Sequence, residues 1–122
     1  MTFTDLVEKL PAHVVNRASN FMETSVLQVF AGDLMSDVLV TDFEDLLIVT
    51  SLASEQVIRT ADIVGAKGVL LVNDKDPPLV MKQLAEKQDL NLLSTPLSMY
   101  EACVGLNGIF NSLYRTDTET NP

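Results

Sequence analysis

Two uninterrupted apolar runs, Leu46-Leu47-Ile48-Val49 and Val69-Leu70-Leu71-Val72, limit most sharply what this chain can fold into. A third short strand reads at Leu90 to Leu93, and strands at about 46–49, 69–72 and 92–94 recur at a spacing of 23 residues. A strand with one wet face alternates apolar and polar residues. A run apolar at every position is covered on both faces, which implies parallel pairing. Parallel neighbours need right-handed crossovers, and the segments between the strands read as helices. The expected fold class is therefore α/β, a small three-layer sandwich with a mostly parallel central sheet and βα repeats. The constant spacing reflects the length of the βα unit, with no repeat of the sequence itself.

The helix signals fit this frame. Ser54 caps a helix through Val64, with Val57, Ile58, Ala61 and Val64 at helical spacing. Gly65 and Gly68 bracket its exit. Asp76-Pro77 reads as an N-cap followed by proline at the first helical position. Leu79, Val80, Leu84 and Ala85 then form that helix's expected buried face. Ser98-x-x-Glu101 is a capping box opening the last helix. Upstream, Thr4 is expected to cap a helix that Pro11 ends. His13 to Val15 and Val26 to Phe30 read as strands, and the polar stretch 16–25 as a loop. Asp33 opens a short helix carrying Leu34, Met35, Val38 and Leu39. No linker divides the chain, so residues 1–114 are expected to form one domain and residues 115–122 a polar, frayed tail.

Composition excludes several partners. The 122 residues include 8 Lys+Arg against 17 Asp+Glu, a formal net charge of −9. Nucleic-acid binding rests on basic residues neutralising phosphates, and eight scattered ones make no such patch. Anionic membrane surfaces are disfavoured for the same reason. No apolar run approaches the ~20 residues needed to span a bilayer. The first residues do not read as a signal peptide, so the expected location is cytoplasmic. At 47% hydrophobic and 20% charged the chain reads as globular.

Catalytic signals are sparse. Neither Gly-x-x-x-x-Gly-Lys-Ser/Thr nor Gly-x-Gly-x-x-Gly occurs, and Gly65-Ala66-Lys67-Gly68 fits a helix exit. One histidine, His13, and one cysteine, Cys103, build no zinc or iron–sulfur site within one chain. Cys103 reads as a small buried hydrophobe. Asp33 and Asp37 are four apart and can present two carboxylates to magnesium, or simply be solvated. Asp74 and Asp76 form a second loose pair. The remaining signal lies at the carboxyl ends of the strands, where open α/β folds bind ligands. Those ends carry Thr50-Ser51, Asn73-Asp74 and Ser94-Thr95, each leading into a helix start. Hydroxyls and free amides there suit a small anionic ligand, and the same residue types cap helices; both readings stand.

A family resemblance adds to this reading. Ala31-Gly32-Asp33-Leu34-Met35-Ser36-Asp37-Val38 resembles the "GDLLSDV" signature of DRTGG domains in their short free-standing form. Leu47-Ile48-Val49-Thr50 is similar to the family's "L-W-I-T" strand. Gly68 to Val72 followed by Pro77, Leu92 to Glu101, and Leu106 with Gly108-Ile109 resemble its later segments in order and spacing, so the match covers roughly residues 26–110. The resemblance implies a compact α/β domain related to the N-terminal domain of HPr kinase/phosphorylase. Such domains occur alone or fused to CBS domains, phosphotransacetylase or inorganic pyrophosphatase, with regulation, dimerisation or ligand sensing as their role. Some single-domain members are encoded near iron-only hydrogenase genes.

Departures accompany the match. The eponymous Asp-Arg and Thr-Gly-Gly residues are not evident, and Asn73-Asp74-Lys75-Asp76 stands where glycines are expected. Leu52, Ser54 and Gln56 occupy places where the short form often has a Gln/His/Asn set. The positions that match best are Asp33, Ser36, Asp37 and Thr50.

The expectation is a noncatalytic regulatory or ligand-sensing domain without cofactor or metal. Its candidate ligand residues are Asp33, Ser36, Asp37, Thr50, Ser51, Asn73 and Thr95. Its expected partners are a second copy, a small anionic or nucleotide-like ligand, and a protein. The homodimer rests on the family and on a mean hydropathy of +0.21, high for so small a chain. Two alternatives remain: an acidic interaction subunit of a larger system, such as a hydrogenase-associated one, and a magnesium-dependent phosphate-handling enzyme.

Overall fold

A computed structural model describes residues 1–114; the expected tail, 115–122, lies outside the described residues. The elements run α1 (Phe3–Lys9), β1 (His13–Asn16), β2 (Gln28–Ala31), α2 (Met35–Leu39), β3 (Leu46–Thr50), α3 (Glu55–Val64), β4 (Gly68–Leu71), α4 (Leu79–Lys87), β5 (Asn91–Ser94) and α5 (Met99–Tyr114). The five strands form one sheet in the order β1-β5-β4-β3-β2. β2 to β5 are parallel in sequence order, and β1 is antiparallel to β5. The fold is thus the expected mostly parallel three-layer α/β sandwich.

The pleat divides the apolar strands between two cores. Leu47, Val49, Leu70, Val72 and Leu93 pack on one face with Phe3 and Leu6 of α1 and Ala102, Leu106 and Ile109 of α5. Leu46, Ile48, Val69 and Leu92 face the other way, against Met35 and Val38 of α2, Val57, Ile58 and Ala61 of α3, and Met81 and Ala85 of α4. Every residue of β3, β4 and β5 is buried, which is why these strands need no polar alternation. The strands advance β2, β3, β4, β5 in one direction, so right-handed crossovers bring α2, α3 and α4 to the same face. Only α1 and α5 cover the opposite face.

Gly68 shows how closely α1 packs. A Cβ at this position would lie 2.5 Å from Cζ of Phe3 and 3.1 Å from the Asn91 carbonyl oxygen. Asn91 itself is buried, its side chain accepting from the Ala18 amide at 2.9 Å and donating to the Lys67 carbonyl at 3.2 Å.

Several local expectations are corrected. Thr2, not Thr4, caps α1: its hydroxyl accepts from the Asp5 amide while Asp5 accepts from the Thr2 amide. β2 starts at Gln28 because the Val26 amide turns instead to the carbonyl of Met1. Asp33 does not cap α2, whose N-cap is Leu34 with no side-chain bond. Asp76 does not cap α4, which starts after Pro78, again with no side-chain cap. Of that helix's expected face, Ala85 is buried and Leu84 packs against the core, Met81 joins them, and Leu79 at 68% and Val80 at 54% are exposed. Cys103 is half-buried. The Ser54 cap, the left-handed Gly65 at the end of α3 (φ 68°) and the Ser98–Glu101 capping box all form as read.

Candidate functional site

The carboxyl edge of the sheet divides into two clusters. In the first, β2 ends directly before the turn Gly32-Asp33, and its parallel pairing with β3 sets Asp33 beside Thr50 and Ser51. One Asp33 carboxylate oxygen accepts from the Thr50 hydroxyl at 2.8 Å and the Ser51 amide at 2.7 Å. The other accepts from the Ser51 hydroxyl at 2.5 Å. Thr50 Oγ1 in turn accepts from the Leu52 amide at 3.2 Å. These donors, the Ser51 hydroxyl first, hold the Asp33 carboxyl below the usual carboxylate range, with the charge of Lys75 adding to the effect. A carboxylate offers about four acceptor sites, so three bonds leave one open on this exposed residue.

The second cluster closes what would otherwise be the ligand crevice. β4 leads into α4 on one face and β5 into α5 on the other, so a switch point falls between β4 and β5. Here the chain fills its own crevice. The Asn73 amide donates to the Leu97 carbonyl at 2.7 Å, and the Asp74 amide to the Thr95 carbonyl at 3.0 Å. The Ser94 hydroxyl donates to the Lys75 carbonyl and the buried Thr95 hydroxyl to the Pro11 carbonyl. Asn73 and Asp74 take left-handed backbone, φ 65° and 56°, to make this fit.

Among the predicted site residues, then, the fold unites Asp33, Thr50 and Ser51 in one hydrogen-bonded group. Asn73 and Thr95 meet in a separate lacing of loops. Ser36 and Asp37 stand exposed on α2, and no group of three or more His, Cys, Asp or Glu side chains converges among the described residues. Sequence reasoning missed Lys75 and the uncapped start of α4 beside it. Pro78 brings no N–H and no capping oxygen, so the amides of that helix's first turn lack a side-chain partner. The signal was the doubled proline, Pro77-Pro78, which moves the helix start onward by a residue or more.

No family model and no curated protein matches the chain. A solved structure does. The CBS and DRTGG domains of the regulatory region of Clostridium perfringens pyrophosphatase, solved with the activator diadenosine tetraphosphate, superpose with a TM-score of 0.70 at 12% identity. The match covers 84% of this chain and 44% of that one. In fold, this chain is similar to that DRTGG-containing region. It spans less than half the length of the regulatory region that it resembles. No helix among the described residues is long and apolar enough to cross a membrane.

Proposed function

We propose that residues 1–114 form a single noncatalytic regulatory domain that senses a small anionic, nucleotide-like ligand at the carboxyl edge of its sheet. The observation that carries this reading is the pairing of opposite chemistries there. Asp33, organised by Thr50 and Ser51, retains an open acceptor site suited to a ribose hydroxyl. Lys75 supplies positive charge, and the Leu79 and Val80 amides at the uncapped start of α4, ahead of the Met81 amide that bonds the Pro78 carbonyl, suit phosphate. The likeness to a regulatory region solved with a dinucleotide activator supports the same class of ligand. Both aspartate oxygens already serve hydroxyl and amide donors, which favours sensing over magnesium chemistry at Asp33. Ser36 and Asp37 extend the edge along α2, and the crevice lined by Asn73 and Thr95 contributes rigidity beneath the ligand. The domain acts in the cytoplasm as a homodimer, in keeping with its exposed apolar residues such as Tyr100, Val104 and Leu113.

Thermal denaturation with a panel of nucleotides, dinucleoside polyphosphates, acyl phosphates and phosphorylated metabolites tests the ligand. A ligand at 100 times its Kd stabilises by about 2.7 kcal/mol, enough to raise the Tm by several degrees. The expected result is such a rise with at least one nucleotide, lost in Lys75→Glu. A flat panel contradicts the reading. Sedimentation equilibrium tests the dimer, and a monomer at high micromolar concentration contradicts it.

A further inference from the structure

We propose that the open edge of β2, with the apolar groove between β2 and α5, docks an extended basic segment of a partner protein as a sixth strand of the sheet. The groove lies apart from Lys75 and the α4 start and shares with the proposed ligand edge only the carboxylates Asp33 and Asp37, so either reading can fail alone.

β2 is an end strand. The Asp45 carbonyl accepts from both Leu27 and Gln28 where β2 begins, and the Gly32 amide turns inward to the Val49 carbonyl, so the two-residue period counted back from Gly32 turns the backbone groups of Val29 and Ala31 outward. Proteins usually blunt such an edge with a charge, a proline or a bulge. The opposite edge is blunted: β1 bulges between Val14 and Asn16, and the Asn16 side chain is tied to the Leu90 carbonyl. Gln28-Val29-Phe30-Ala31 pairs with β3 in regular register and has no charged residue, proline or bulge.

A lateral groove accompanies this edge. Three helices cover one face of the sheet and two the other, so α5 leaves the outer part of β2 uncovered. Val29 and Ala31 with Cys103, Leu106, Asn107 and Phe110 line a groove of about 370 Å³ there. Alternate side chains of an added strand would point into it, giving apolar specificity beside main-chain affinity.

Charge selects the occupant. From Ala18 to Ile58, the stretch that builds β2, α2 and β3, there are seven carboxylates, Glu23, Asp33, Asp37, Asp42, Glu44, Asp45 and Glu55, and no lysine, arginine or histidine. Asp33, Asp37, Asp42 and Glu44 are exposed. A second copy pairing β2 antiparallel to β2 would set Glu44 of one chain, beside an Asp45 already paired with Lys67 at 3.9 Å, against Asp33 of the other. Like charges there disfavour self-pairing, whereas a strand alternating apolar with basic residues meets both groove and rim.

The test uses the full chain and a fluorescent peptide of about seven residues alternating valine with arginine, a typical strand length. Three comparisons accompany it: a copy N-methylated on alternate residues, a copy with glutamate for arginine, and the Ala31→Pro chain. Ala31→Pro removes an outward N–H and leaves the β3 ladder intact, as edge prolines do. The expected result is saturable binding that weakens about tenfold or more with the N-methylated peptide and with Ala31→Pro. Binding should also fall several-fold from 50 to 300 mM salt and vanish for the glutamate peptide. Absence of binding at high micromolar peptide overturns the proposal, as does equal binding by the N-methylated or glutamate peptide. If Ala31→Pro fails to fold, the N-methylated peptide alone decides. A dimer that dissociates in Ala31→Pro overturns it too, since a second copy would then hold the edge.

Discussion

The Asp33 carboxylate joins the ends of two strands, and its removal therefore acts on stability as well as on binding. Asp33→Ala strands the buried Thr50 hydroxyl and frees the Ser51 turn. Because the site is exposed, the expected loss is about 1 kcal/mol, below the usual range for bonds to charged groups. Calorimetric melting reads it. The acid dependence has a definite sign. The folded pKa is depressed by the Ser51 and Thr50 donors, so the group's contribution is complete above the ordinary carboxylate range and disappears as pH falls through the depressed value. The Tm difference between the wild type and Asp33→Ala should therefore shrink toward zero in acid. Gly68→Ala should be harsher, costing about 1–3 kcal/mol by overpacking, because Phe3 and the Asn91 carbonyl occupy the space of the new methyl. A chemical-denaturation series checks this. Asp33 was visible in the sequence as a candidate, but its partners lie 17 and 18 residues away. Local rules suggested a helix cap instead. Gly68 was read as a helix-exit glycine; its close approach to α1 depends on a contact that no local pattern encodes.

At the level of elements, what was legible follows the range of the interaction. The Ser98–Glu101 box and the Ser54 cap involve partners within three residues, and both form as read. The apolar runs of β3 and β4 report burial on both faces directly. α4 was misread because Asp76-Pro77 imitates a start signal while Pro78 carries the chain past it. Asp76 instead reaches Lys82, at 3.7 Å, across a largely exposed pair that adds little stability. The uncapped start has a testable consequence. Pro78→Ser would supply a capping hydroxyl, raising helix stability by about 0.5–1 kcal/mol while occupying amides proposed to meet phosphate. The expected outcome is a higher Tm in buffer and a smaller nucleotide-induced shift. An equal rise in both conditions would detach the α4 start from binding.

For the whole molecule, regular alternation of strand and helix sufficed to read a mostly parallel three-layer sheet. Strand order was not legible, because it depends on which neighbour each strand meets in space. That order has two functional results: the switch point falls between β4 and β5, where loops close it, and β2 is left as an open edge. The acidity also looks different in three dimensions. Along the sequence it is spread over several short groups, yet the stretch from Ala18 to Ile58 that forms one side of the sheet has no basic residue at all. The central claim is that the carboxyl edge around Asp33, Ser51, Lys75 and the α4 start takes a nucleotide-like anion. Amide chemical-shift mapping with diadenosine tetraphosphate as probe tests it most directly. The account predicts shifts concentrated at Asp33, Ser51, Lys75, Leu79 and Val80. Saturation without change at those amides, or shifts confined to the β2–α5 groove or the amino edge of the sheet, would contradict it.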